Sequence, residues 1–321
     1  MRQMILGAIL VVVCLQALEA QRGKDTSFTL NSAALQIMKD YPFVRPVPTI
    51  IGSRVILHRD IIYTRYCGRE LKLDLVSPKN LWEKKRPVII LIHGGGWRSG
   101  DRTMELPTAL KLAESGFICA CVEYRLSPEA KYPAALYDIK TAIRWCRSNA
   151  VQFNIDTTTI IVYGTSAGGH LAALLGTSQA AGLFNEQGDY KDHSGNVQAV
   201  IDIDGVLDFT DPAESGKDTL PDKPSAGKAF LGASYTDNPV LWKMASPINY
   251  ISSKTPPFLF INSSHVRFHA GRDSVMHMMN RFGIFSEVHT IANTPHPFWL
   301  FHPWFDETIK YIQVFLQKFR K

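Results

Sequence analysis

Residues 159–172 read TIIVYGTSAGGHLA. The run Ile160-Ile161-Val162-Tyr163 predicts a short strand that stops at Gly164, and helix-forming sequence follows through Leu174. Between them lies Gly164-Thr165-Ser166-Ala167-Gly168, a Gly-x-Ser-x-Gly pentapeptide. In strand–turn–helix context this pattern reads as a nucleophile elbow, a turn so tight that only residues without bulky Cβ substituents fit beside the serine. Ser166 would stand exposed on strained backbone with a helix N-terminus behind it. A serine that merely caps a helix is the bland alternative; the flanking strand and helix favour Ser166 as a nucleophile.

A serine hydroxyl needs a base, and a tetrahedral intermediate needs donors for its oxyanion. Upstream, the continuously apolar Pro87–His93 (PVIILIH) predicts a strand covered on both faces, as in a parallel sheet. His93-Gly94-Gly95-Gly96-Trp97 follows it, and backbone N–H groups of Gly95 or Gly96, with that of Ala167, are the expected oxyanion donors. Glycines there keep side chains out of the substrate's approach. Downstream, Ser286–Ile291 predicts the last strand, and the loop Ala292–Phe298 carries His296. By position His296 is the expected base; His289, inside the strand, and His302 are the other candidates.

The remaining sequence alternates. Leu71–Val76 has period two and predicts a half-buried strand, preceded by one strand or a bent pair over Val55–His58 and Ile61–Tyr66. Further strands are expected at Phe117–Glu123, Val197–Ile203 and Pro257–Ile261, and helices near Ala33–Lys39, Met104–Ser115, Ala134–Ala150, Val275–Gly283 and Asp306–Phe319. Such alternation means an α/β fold with a doubly wound, mostly parallel sheet, its first, antiparallel strands forming one edge. Phe209–Ile248 is polar and proline-rich, and is expected to form an insertion over the carboxyl ends of the strands with one or two short helices. Disorder is the alternative for its middle, around Gly216–Pro224.

With 321 residues the chain accommodates one α/β domain over 21–321. Its net charge of +6 is dispersed, and no nucleic-acid signature appears. Arg2, the apolar run Met4–Leu15 and Ala17-Leu18-Glu19-Ala20 read as a signal peptide cleaved after Ala20, too short to span a bilayer. That implies a periplasmic or secreted protein. A lipoprotein signal at Cys14 is disfavoured by the bulk of Val13, and an uncleaved anchor is the other alternative. Cys119 and Cys121 share one face of an apolar strand and are expected to be buried thiols. Together with Cys67 and Cys146 they would also suffice for disulfides, but no spacing forces a pairing or a metal site.

His93-Gly94-Gly95-Gly96-Trp97, Tyr124-Arg125-Leu126-Ser127-Pro128, Tyr132-Pro133-Ala134 and Gly164–Gly169 together resemble the α/β-hydrolase family, most closely its hormone-sensitive-lipase-like and feruloyl/acetyl esterase (BD-FAE-like) branches. The resemblance runs from about Val55 to the C-terminus. It implies an eight-stranded sheet, a serine esterase, no cofactor and no metal, with Gly95, Gly96 and Ala167 at the oxyanion positions and His296 as base. One departure stands out. Where the family places its acid, after the Pro257–Ile261 strand, this chain reads Asn262-Ser263-Ser264-His265-Val266-Arg267, with no carboxylate before Asp273. The acid orients the base and stabilises its charged form. Asp204, at the end of the preceding strand in Asp202-Ile203-Asp204-Gly205, is the favoured replacement; Asp273, or a Ser–His dyad without an acid, are the alternatives. Asp202 and Asp208 read as structural.

Trp97 is expected to form a substrate wall. Arg267, His269 and Arg272 would offer cationic donors to a uronic-acid carboxylate, or simply sit at the surface. The aromatic run Phe298–Phe305 would suit either sugar stacking or core packing. Export and these surroundings fit removal of acetyl, methyl or feruloyl groups from plant polysaccharides. A general short-chain carboxylesterase or lipase is the alternative enzyme, and a non-catalytic glycan-binding relative the alternative from another class.

Overall fold

The computed structural model describes residues 25–80, 84–216 and 224–319. The expected signal peptide, its cleavage point at Ala20 and positions 217–223 of the insertion lie outside the described residues. Eight strands form one sheet: β1 (Val55–Tyr66), β2 (Arg69–Pro78), β3 (Arg86–Ile92), β4 (Ile118–Val122), β5 (Ile155–Thr165), β6 (Ala199–Ile203), β7 (Phe258–Asn262) and β8 (Ser286–Thr290). Their order is β1-β2-β4-β3-β5-β6-β7-β8. β1 pairs antiparallel with β2 and β2 with β4; every other pairing is parallel. This is the α/β-hydrolase fold, with the antiparallel strands at one edge.

The apolar strand runs are continuous because both faces are covered. In β3, Val88, Ile90 and Ile92 enter one core while Ile89 and Leu91 enter the other, all wholly buried. Among the described residues six longer helices supply the cover: α1 (Leu30–Ile37), α2 (Leu106–Glu114), α3 (Ala134–Ser148), α4 (Ala167–Ser178), α5 (Arg272–Arg281) and α6 (Trp304–Phe319). α3, α4 and α5 pack on the first core and α1, α2 and α6 on the second. The cysteines among the described residues are free thiols; Cys119, Cys121 and Cys146 are buried and Cys67 is exposed.

Some boundaries differ from the sequence reading. β1 is one strand, with register shifts between His58 and Ile61 and between Ile62 and Thr64 where the bend was expected. β5 begins at Ile155, five residues earlier than the apolar run suggests, because its β-branched threonines extend the strand. Among its described residues the insertion carries three short α-helices, Pro212–Ser215, Ala226–Leu231 and Pro239–Met244, rather than one or two. Each opens on a side-chain cap: Asp211 accepts from the Ala213 N–H, Ser225 from Lys228 and Asn238 from Leu241.

Parallel register brings the carboxyl ends of neighbouring strands level, Ile92 beside Gly164 and Thr165 beside Ile203. The chain segments leaving β3, β5, β6 and β7 therefore emerge together, beneath the insertion.

Candidate active site

Ser166 follows β5 with φ 53° and ψ −118°, a backbone region that is costly for a residue with a side chain. Its N–H donates to the Ile203 carbonyl at 2.7 Å and its carbonyl accepts from the His170 N–H at 3.0 Å, which hold the turn. The elbow glycines are required sterically. A Cβ on Gly164 would run into the Gly168 carbonyl, and one on Gly168 into the Ile92 carbonyl.

The His296 imidazole bridges two partners. Its Nε2 lies 2.8 Å from Ser166 Oγ and its Nδ1 2.9 Å from Asp204 Oδ2. A carboxylate only accepts, so Nδ1 carries the proton and Nε2 presents its lone pair to the serine. Asp204 directly follows β6, with φ 52°, and its side chain is wholly buried. Oδ1 accepts the Ser263 N–H at 2.8 Å, and the Asn262 side-chain amide lies 3.5 Å away. The loop after β7 thus anchors the carboxylate from outside β6. Burial pulls the His296 pKa below its ordinary value; hydrogen bonding and charge from Asp204 oppose this, and the nearby Arg267 and His265 add to the fall.

Ser166, Asp204 and His296 line a cavity of about 460 Å³, together with Gly95, Gly96, Trp97 and Ala167. The glycine loop is braced from behind. Tyr124 donates its hydroxyl to the His93 carbonyl at 2.9 Å, and the two rings stack with centroids 4.5 Å apart. Arg125, next along the chain, binds the buried Asp138 of α3 with its guanidinium and its backbone N–H. The Tyr124–Pro128 motif therefore supports the loop.

The other residues singled out from the sequence hold varied places. Arg272 is not among the cavity-lining residues; its guanidinium binds Asp273 and donates to Asn262 Oδ1 at 2.8 Å. Asp273 points outward, 85% exposed, in that pair. Arg267 lines the cavity but forms a 2.8 Å ion pair with the buried Glu214 of the insertion. Each guanidinium thus already carries a carboxylate partner within the protein. Trp97 reaches the cavity from below: it is buried, its indole N–H donates to His170 Nδ1 at 3.1 Å, and it stacks on Phe230. The run Phe298–Phe305 is core, not sugar-facing, since Phe298, Trp299, Phe301, Trp304 and Phe305 are all buried. His289 pairs with Glu287 and His302 with Asp306. Asp202 caps the turn after β6 by accepting from the Gly205 N–H, and Asp208 accepts from Thr210.

Other lining residues were not singled out from the sequence: Ser27 and Phe28 of the N-terminal arm, Glu214, and Phe268. Their positions follow from how distant loops converge, which no local pattern announces. Among the described residues no group of three or more His, Cys, Asp or Glu side chains is arranged to hold a metal ion, and no helix is long and apolar enough to cross a membrane.

An elbow serine facing a histidine at the carboxyl edge of this sheet is the arrangement of a serine hydrolase of the α/β-hydrolase fold. The chain belongs to the BD-FAE family, whose model matches residues 73–280. It is similar to the esterase LipQ of Mycobacterium tuberculosis, 36% identical over 61% of this chain and 46% of that protein. In structure it is similar to a bifunctional GH43-CE protein of Bacteroides eggerthii, with a TM-score of 0.71 and 27% identity over 83% of this chain and 38% of that one. A further likeness is to an acetyl ester-xyloside bifunctional hydrolase of Caldicellulosiruptor lactoaceticus, with a TM-score of 0.63 and 26% identity over 78% and 88% of the two chains. The chain spans about half the length of the curated relatives it matches.

Proposed function

We propose that this chain is a serine carboxylic-ester hydrolase working through an acyl-enzyme on Ser166. The observation that carries the reading is the unbroken relay from Ser166 Oγ through His296 to Asp204. His296 Nε2 takes the Ser166 proton as the hydroxyl oxygen attacks the ester carbonyl. Asp204 holds the imidazole in the required tautomer and stabilises the imidazolium that results. Backbone N–H groups of Ala167 and of Gly95 or Gly96 take the oxyanion charge. The imidazolium then protonates the departing alcohol, and a water activated by the same nitrogen releases the acid.

The substrate we assign is an acetyl, methyl or feruloyl ester on a plant polysaccharide, met outside the cytoplasm after removal of residues 1–20. Support for the sugar ester comes from the similarity to an acetyl ester-xyloside hydrolase. The charge balance of the cavity favours an uncharged ester, because Arg98 pairs with Asp25 and Arg267 with Glu214. A general short-chain carboxylesterase is the second reading, favoured by the likeness to LipQ. Release of acetate and methanol from acetylated xylan and pectin separates them. Hydrolysis of p-nitrophenyl acetate without release from either glycan would leave only the general esterase, and loss of all turnover in Ser166→Ala is expected in both cases.

A further inference from the structure

The loop after β7 lacks the family's acid, yet it does not withdraw from the base. Phe268, in this loop, lies flat on the His296 ring, with centroids 3.3 Å apart and planes 11° from parallel. The guanidinium carbon of Arg267 also lies over the Phe268 ring, 4.7 Å from its centroid. Arg267 in turn is tied to Glu214 of the insertion at 2.8 Å. Trp299 meets the His296 ring edge-on at 5.2 Å. A histidine that hydrogen-bonds through both nitrogens can still tilt to the extent that its tether and hydrogen bonds allow, and contacts on its faces oppose that motion.

We propose that Phe268 is a positioning residue for His296: its ring, itself in contact with the Arg267–Glu214 pair, holds the imidazole plane so that Nε2 stays aimed at Ser166 while Nδ1 stays on Asp204. The proposal rests on His296 being the base. It also explains how a loop that carries no acid still serves the relay, fixing Asp204 through the Ser263 N–H and His296 through a ring face. Phe268 lines the cavity as well, so a mere substrate wall is the competing role.

Hydrolysis of p-nitrophenyl acetate by wild type, Phe268→Ala and Phe268→Tyr, followed across pH, tests it. Phe268→Ala should lower kcat about tenfold, the upper range for a stacked ring pair, and leave KM within about twofold. Opening the imidazole to water should also move the acid limb of kcat/KM to higher pH, since burial is the main cause of its low pKa. Phe268→Tyr keeps the stack and should restore both. A rise in KM alone, with kcat and the acid limb unchanged, would make Phe268 a substrate wall and overturn the proposal. Turnover is not the only readout. The His296 Cε1–H resonance, assigned by its loss in His296→Ala, should carry a ring-current shift in wild type and Phe268→Tyr that disappears in Phe268→Ala; an unshifted resonance in all three also overturns it. Full activity of His296→Ala would end the reading of His296 as base itself, a failure seen without any change at Phe268.

Discussion

The Nδ1 of His296 lies 2.9 Å from Oδ2 of Asp204, a residue at the end of β6 rather than in the loop after β7. Its consequence is direct to measure. Asp204→Asn keeps the shape but offers an amide where a carboxylate accepted, so the imidazole loses its reason to hold the proton on Nδ1. The analogous change in serine proteases costs about 10⁴ in kcat, and a loss of that order is expected here with p-nitrophenyl acetate. Asp273→Asn should stay near wild type, because Asp273 is spent on Arg272 at the surface. Near-wild-type activity of Asp204→Asn would remove it from the relay.

In the proposed mechanism His296 works as a base only when Nε2 is unprotonated. Burial lowers the His296 pKa, and the Arg267 and His265 charges push the same way. Activity should therefore persist below the ordinary histidine value of about 6.5 and fall as pH drops through the lowered one. A kcat/KM profile whose acid limb lies above that value would contradict the assignment.

His170 makes a separate prediction about stability. It is wholly buried between the Trp97 indole N–H and the Ala245 carbonyl, and burial pulls its pKa down to about 4. A histidine with a depressed folded-state pKa contributes stability that is complete above the unfolded value and lost as pH falls through the folded one. Over that window the loss amounts to about 3 kcal/mol. Urea unfolding of wild type and His170→Gln at pH 7, 5 and 4 checks this. The variant should start less stable and lose less between pH 7 and 4; parallel losses would exclude His170 as the source.

The sheet was readable because buried strands announce themselves: PVIILI serves two cores at once, and only branched apolar side chains suit both. The elbow was readable because its glycines answer a local steric demand, the clashes at Gly164 and Gly168. The insertion's helices were undercounted for a physical reason. Each is four to six residues long, too short for an apolar period, and what marks them is the caps Asp211, Ser225 and Asn238, with Pro212 and Pro239 opening two of them. The aromatic run after His296 was ambiguous because burial and ligand stacking ask for the same residues, and tertiary context put Phe298–Phe305 in the core. Arg267 read as an open cation because its partner, Glu214, sits in a short helix of the insertion, distant in sequence.

That pair leads to the last prediction, on substrate charge. With Glu214 in place, the cavity offers Arg267 as a neutralised ion pair. Glu214→Gln keeps the volume and hydrogen-bonding capacity but leaves the guanidinium charge uncompensated beside the nucleophile. A substrate carboxylate about 4 Å away would then gain about 1 kcal/mol at the dielectric constant of water, the lower bound for a site open to solvent. Preference for an ester bearing a carboxylate over its neutral analogue, expressed as the ratio of their kcat/KM values, should rise about fivefold. The ratio is the informative quantity, because loosening Arg267 and Phe268 would lower both rates together. Arg267→Met in the Glu214→Gln background should return the ratio to the wild-type value. A ratio that is high in wild type and collapses in Arg267→Met alone would show instead that Arg267 leaves Glu214 to bind acidic sugars, and the neutral-ester reading of this cavity would have to be given up.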